Sequence, residues 1–223
     1  MLARAEKVSR GRKTCKGKKR EGKHAPVVLT VGYSTHPIED FIGLLHAHGV
    51  TTVVDVRTIP RSRYNPQFNS ETLAASLKKT GVGYVHLPRL GGLRRGHPAS
   101  LNTGWRNMSF RGFADYMQNP EFERGLNELL KLSKQGRSAL MCAEAVPWRC
   151  HRSLISDALL VRGIRVEHIL SLTSRRPHTM TPFAKIHDYS ITYPAENIGA
   201  AGSAAKHRGR GETREKAQPM PLA

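Results

Sequence analysis

The most reactive side chains of this chain are concentrated in one short segment, residues 142–152. The segment contains two thiols, a carboxylate, an imidazole and two guanidinium groups, which belong to Cys142, Glu144, Arg149, Cys150, His151 and Arg152. An apolar run over 138–142 predicts a strand before it, and a helical pattern over 153–162 follows it. In α/β proteins, ligands usually bind at the loop that leaves the carboxyl end of a strand. The segment is therefore the best candidate for an active site.

A thiol reaction is the first chemistry that this segment could perform. Cys142 is the predicted nucleophile or redox-active thiol, because Arg152 and the amino terminus of the following helix would favour its thiolate. Glu144 or His151 would transfer protons, and Asp55, at the end of another predicted strand, is a further candidate base. Asp55 could instead hold one of the neighbouring arginines. The alternative for Cys142 is an inert thiol that packs as a small apolar side chain.

A metal centre is the second chemistry that fits these atoms. Cys142, Cys150 and His151 are the candidate ligands, with Glu144 as a fourth ligand or as a general base. Paired zinc-binding cysteines are usually two to four residues apart, whereas these two are eight apart. The primary prediction is therefore a site without a metal, and the sequence indicates no particular cofactor.

Polar residues also follow the other predicted strands of the chain. The carboxyl ends of parallel strands lie at one edge of a sheet, so these loops should meet the 142–152 segment in one pocket. Arginine suits bidentate recognition of phosphate or carboxylate, although a single loop arginine is often only solvated. The residues predicted to bind substrate or phosphate are Arg57, Arg61, Ser62, Arg63, Arg152, Gly32 and Ser34.

Aromatic residues offer a further surface for recognition. Trp105, Phe110 and Tyr116 are interleaved with Arg106 and Arg111, as in proteins that stack single-stranded nucleic acid, or they belong to the core. The leading hypothesis is an enzyme that acts on an anionic substrate, either a nucleotide or a nucleic acid. The competing hypotheses are a non-catalytic nucleic-acid-binding module and a metal-dependent site on the Cys/His/Glu cluster.

The order of strand and helix patterns predicts the fold class. Strands alternate with helices, which implies right-handed crossovers and a parallel sheet covered on both faces. The predicted strands are 27–31, 51–56, 84–87, 138–142 and 166–170, and the predicted helices begin near 37, 71, 113, 120 and 153. We therefore expect a three-layer α/β domain over 25–198, with a mainly parallel sheet of about five strands. The pattern weakens beyond residue 174, and the strand order cannot be read from it.

Basic residues are concentrated at both ends of the chain. The net charge is +19, of which residues 1–23 carry +8 and residues 200–223 carry +3. We predict disordered tails over 1–24 and 199–223, because these segments are polar and highly charged. Such tails either bind nucleic acid through its phosphates or act as solubilising extensions. Nucleic acid or a nucleotide is therefore the expected partner, and no oligomeric state is predicted.

Cysteine usage and hydropathy bear on the compartment. The three cysteines have no disulfide-framework spacing, which favours free thiols and a reducing environment. No apolar run approaches the roughly 18 residues that a membrane span needs, and the amino terminus lacks the apolar core of a secretory signal. We therefore expect a cytoplasmic protein that does not associate with membranes.

Four blocks of the sequence resemble, in order, the signature blocks of the family called domain of unknown function 488: TVGYSTHP, VVDVRTIPRSRYNPQFN, YVHLPRLGG and LMCAEAVPWRCHR. The resemblance covers roughly residues 27–172 and leaves both tails outside. It implies an α/β domain in which residues 55–57 and 142–152 form a shared site. It implies no reaction, because the family is named for its missing function.

Overall fold

A computed structural model describes residues 27–195. Both predicted tails, 1–24 and 199–223, lie outside the described residues, as do the ends of the predicted domain at 25–26 and 196–198. The strands are β1 (Val27–Gly32), β2 (Thr52–Asp55), β3 (Gly83–His86), β4 (Ser138–Cys142), β5 (Arg165–Ile169), β6 (Arg175–Pro177), β7 (Lys185–His187) and β8 (Ser190–Thr192). The helices are α1 (Ile38–Ala47), α2 (Ser70–Lys79), α3 (Met108–Tyr116), α4 (Pro120–Gln135) and α5 (Arg152–Val161). None of the helices in this range is long and apolar enough to cross a membrane.

The main sheet has the strand order β3-β2-β4-β1-β5-β6. Its first five strands are parallel, and β6 runs antiparallel to β5. The predicted mainly parallel α/β fold is confirmed. The sixth strand and the separate β7–β8 hairpin are additions that the sequence pattern did not indicate, because strands of three residues are too short to show a periodicity.

Helices cover both faces of the sheet. Leu140 of β4 belongs to the apolar cluster that contains residues of α3, α4 and α5, whereas the next residue, Met141, belongs to the cluster with α1 and α2. Successive side chains of a strand point to opposite faces, so both clusters need apolar residues from the same strand. This explains why the buried parallel strands appear in the sequence as continuous apolar runs.

The register of the three central strands brings their carboxyl ends together. Gly32 at the end of β1 lies opposite Cys142 at the end of β4, and Asp55 at the end of β2 lies opposite Met141. Pairing continues past β1, where the amide of Ser34 donates to the carbonyl oxygen of Ala143 at 2.9 Å. The loops after β1, β2 and β4 therefore leave the sheet side by side.

The close contact between the end of β1 and the loop after β4 depends on Gly32. A Cβ atom at this position would lie 2.1 Å from the carbonyl oxygen of Glu144, which is far closer than van der Waals contact. By contrast, a Cβ at Gly43 in α1 would meet only the Leu172 side chain, at 3.8 Å.

We predict that Gly32→Ala destabilises the protein by about 2–3 kcal/mol, because the β4 loop must move to admit the methyl group. Gly43→Ala is the matched control and should be neutral or stabilising by roughly 0.5–1 kcal/mol, since glycine is unfavourable inside a helix. Urea unfolding of both variants measures the difference. Equal stabilities for the two variants would contradict the close packing at Gly32.

Candidate functional site

A cavity of about 420 Å³ lies at the carboxyl edge of the sheet. Side chains from the loops after β1, β2, β3 and β4 line it, together with the start of α3. The side chains that matter for its chemistry are Tyr33, Arg57, Arg61, Phe110, Cys142, Glu144, Arg149, Cys150 and His151. The structure therefore brings together the four loops that sequence reasoning placed at one edge.

The Cys150 sulfur is the centre of a polar cluster on the cavity wall. Nε of Arg152 donates to it at 3.3 Å, and Nδ1 of His151 lies 3.6 Å from it. Nε2 of His151 donates to the carbonyl oxygen of Val56 at 3.0 Å, since a carbonyl can only accept. In the neutral imidazole, Nδ1 is then the unprotonated nitrogen, and it is in position to take the Cys150 proton.

Arg152 is the most unusual residue of this cluster. It is 1% exposed, and its second hydrogen bond is donated to the backbone carbonyl of Glu144. Within residues 27–195, no carboxylate forms a salt bridge with it. A guanidinium is always charged, and a buried charge is costly without an opposite partner. A thiolate at Cys150 is the anion that would neutralise it.

The two thiols differ in how readily they ionise. The neighbouring Cys142 thiol lowers the pKa of Cys150 well below its usual value, and contacts with His151 and Arg152 act in the same direction against the effect of burial. The proximity of Cys150 raises the pKa of Cys142, and burial adds to the increase. The contact with Arg152 therefore favours the negative charge on Cys150, whereas the sequence pattern places the thiolate at Cys142.

Asp55 is fully buried and does not line the cavity. Its carboxylate accepts from Nε of Arg57 at 2.9 Å and from the Tyr84 hydroxyl at 2.8 Å. Although burial lowers the pKa of Arg57, the hydrogen bond and charge of Asp55 raise it above its usual value. The Arg57 guanidinium also donates to the Tyr33 hydroxyl at 3.2 Å. Of the roles considered for Asp55, the geometry matches the one in which it holds an arginine.

A family model described as "Domain of unknown function DUF488" matches residues 37–159. The chain belongs to this family. Of the residues that line the cavity, Tyr33 alone lies outside the matched range. No curated protein and no solved structure matches the chain. The description of the DUF488 family gives no activity, so the function must be argued from the site itself.

The predicted phosphate ligands of this DUF488 domain separate into two groups. Arg57 and Arg61 line the cavity. The others do not line it: Ser62, Arg63, Arg152, Gly32 and Ser34. The backbone amide of Ser62 donates to the Asn69 side chain at 2.7 Å, and Arg63 is exposed outside the cavity. Gly32 and Ser34 instead pair the end of β1 and its loop with β4 and its loop. Arg152 donates to the Cys150 sulfur.

The amino terminus of α3 is a part of the cavity that the sequence pattern missed. The Asn107 side chain caps this helix by accepting from the amide of Ser109 at 2.9 Å, and both residues line the cavity. The dipole of the helix adds partial positive charge at this end. The helix had been predicted to begin near 113, because its apolar residues are clustered there. Asn107, a good N-cap residue, was the available signal. Arg149, which belongs to the candidate segment 142–152, adds a positive charge to the wall.

The same cluster could also hold a metal ion. The ligand atoms of Cys142, Cys150 and His151 lie within 4.8 Å of one another, and the Val56 carbonyl orients the imidazole as in many metal sites. The Arg152 guanidinium, which touches the Cys150 sulfur, opposes a second cation there. The local charges therefore favour the thiolate–arginine pair over a metal centre.

We predict that one thiol of the folded protein ionises well below the ordinary thiol pKa of about 8.5. Thiolate absorbance during a pH titration, in a Cys15→Ser background, measures it. Cys150→Ala should abolish the low-pH transition, and Arg152→Met should move it upward by about one pH unit or more. Arg149→Met, which removes a charge from the cavity wall without touching a sulfur, should leave it nearly unchanged. Loss of the transition in Cys142→Ala with its retention in Cys150→Ala would reverse the assignment.

Proposed function

We propose that this protein is an enzyme that uses the Cys150 thiolate to attack an anionic substrate, either a nucleotide or a nucleic acid. The observation that carries the proposal is the contact between the Cys150 sulfur and the buried Arg152 guanidinium, which has no carboxylate partner in residues 27–195. A thiolate held in a cavity is the form of cysteine that acts as a nucleophile.

The charge of the cavity supports an anionic substrate. Three guanidinium groups line it, from Arg57, Arg61 and Arg149, against a single carboxylate, that of Glu144. The Glu144 side chain accepts a hydrogen bond from the backbone amide of Val146 at 3.1 Å. The dipole of α3, whose first residues line the cavity, adds partial positive charge. Phosphate is the group that such a set of donors recognises best.

The neighbouring groups supply the proton transfers that the reaction needs. His151 takes the Cys150 proton on Nδ1, and the sulfur forms a bond to the electrophilic atom of the substrate. The bond from that atom to the leaving group breaks, and the leaving group departs with the proton that His151 returns. Water or a second acceptor then releases the group bound to the sulfur. Cys142 stabilises the thiolate through its S–H group before the attack.

The anion site can be tested without knowing the reaction. Inorganic phosphate and nucleoside monophosphates should protect Cys150 from alkylation, because they occupy the cavity above the sulfur. Arg61→Gln should weaken this protection about tenfold, which corresponds to about 1.4 kcal/mol. Arg63→Gln is the matched control, since Arg63 lies two residues away and does not line the cavity. Equal protection in wild type and in both variants would contradict the role of Arg61.

Turnover separates the enzyme from a binding module. With a panel of nucleotides and oligonucleotides as substrates, Cys150→Ser should lower turnover at least about 100-fold without unfolding the protein. A non-catalytic nucleic-acid-binding module would instead show salt-dependent binding that survives this substitution and falls when residues 1–23 are removed. Full turnover by Cys150→Ser would refute the nucleophile.

A chelator distinguishes the thiolate from a metal centre on the same atoms. We expect protein purified without chelator to keep its Cys150 alkylation rate after treatment with a strong chelator. One bound equivalent of zinc, together with faster alkylation after its removal, would instead identify Cys142, Cys150 and His151 as ligands.

A further inference from the structure

We infer that a second cavity, of about 460 Å³, is a binding site for a planar aromatic ring that carries a phosphate, as found in nucleotides. It lies beside the thiol cavity, because Trp148 lines the second cavity and the next residue, Arg149, lines the first. Its size falls within the roughly 300–1,000 Å³ of small-molecule sites. This inference does not depend on thiol chemistry.

Aromatic rings form much of the wall. Both tryptophans of the chain, Trp105 and Trp148, line the cavity together with Phe183. The Trp105 ring is held in place, with its centroid 5.0 Å from that of Phe183 and 4.7 Å from that of Phe110. Trp148 is 58% exposed, so a face of this large ring remains open. An open indole face beside a cavity is a surface on which a flat base can stack.

A positive charge lies over one face of the Trp148 ring. The guanidinium carbon of Arg176 lies 5.7 Å from the centroid of Trp148. Within residues 27–195, Arg176 forms no salt bridge, whereas its neighbour Arg175 pairs with Glu167 at 3.3 Å. No acidic side chain lines the cavity. Arg176 is therefore available to bind the phosphate of a ligand whose ring lies on Trp148.

A buried carboxylate holds the loop that follows β6 and lines the cavity. Asp157 of α5 accepts from Nε2 of His178 at 2.8 Å and from the Thr181 hydroxyl at 2.7 Å, and both donors belong to the cavity lining. The Tyr193 hydroxyl donates to the same carboxylate at 2.9 Å. Two residues of the wall, His178 and Thr181, are thus fixed before any ligand binds, which lowers the entropy cost of binding.

The cavity floor is polar and carries little charge. His168 hydrogen-bonds to His178 at 3.0 Å and to the Thr30 hydroxyl at 2.7 Å. Burial, with the neighbouring His178, lowers the pKa of His168 to about 3, so this imidazole is neutral near pH 7. The neutral His168 and the aromatic walls suit an uncharged base, and Arg176 at the edge of the cavity suits the charged phosphate.

Tryptophan fluorescence tests this site directly, since both fluorophores line it. The titration uses full-length protein with a nucleoside monophosphate, the matching nucleoside and inorganic phosphate. The nucleotide should quench the fluorescence saturably, and the nucleoside should bind about tenfold more weakly because it lacks the contact with Arg176. Phosphate alone should produce little quenching. A second arm uses a short single-stranded oligonucleotide, so that tighter binding there identifies a strand, rather than a free nucleotide, as the source of the base.

Variants identify the residues responsible. Arg176→Gln should weaken nucleotide binding about tenfold, whereas Arg175→Gln, the adjacent matched control, should leave it unchanged. Trp148→Ala should abolish binding while Trp105 still reports that the protein is folded. Cys150→Ser should bind as wild type, so failure of the thiol reaction and failure of this site are distinguishable. Absence of saturable quenching by both nucleotide and oligonucleotide, or equal losses in the two arginine variants, would overturn the inference.

Discussion

The site depends on the hydrogen bonds that the buried Arg152 guanidinium donates. It occupies the first position of α5, and it binds both the Glu144 carbonyl in the β4 loop and the Cys150 sulfur. A buried cation without an opposite charge costs several kcal/mol. Folding therefore favours ionisation of Cys150, because the thiolate is the nearest available anion. The reactive state of the cysteine is in this sense a consequence of how the loop closes onto the helix.

Arg57 is a second buried arginine at the same sheet edge, and its partner is the carboxylate of Asp55. Here the guanidinium is also buried, but two carboxylate oxygens and the Phe68 carbonyl satisfy its donors. The pair fixes the start of the β2 loop and places Arg57 at the cavity without leaving an ionisable group to react. Two buried arginines at one sheet edge thus have different partners: Arg57 is paired with a carboxylate, and Arg152 contacts a thiol.

The sheet and the convergence of its loops could be predicted from the sequence. The roles of individual side chains in those loops could be predicted less well. The strand over Ser138–Cys142 was predicted with its observed bounds, because both faces of a central parallel strand are apolar. The strand order, which puts β4 between β1 and β2, depends on long-range pairing that no local pattern encodes. The choice between Cys142 and Cys150 depends on the direction of the Arg152 side chain, which spacing along the chain does not determine.

In the proposed reaction, the negative charge of a bound substrate would act on the Cys150 thiolate. A thiolate whose pKa is strongly lowered is abundant but intrinsically less nucleophilic. In the proposed reaction, a phosphate bound at Arg61 would bring negative charge towards the Cys150 sulfur, which opposes the stabilisation that Arg152 provides. Because Cys150 and Arg152 are both buried, that repulsion is stronger than it would be in water. Substrate binding should therefore raise the basicity of the Cys150 sulfur, and with it the nucleophilicity, at the moment when the electrophile is in place.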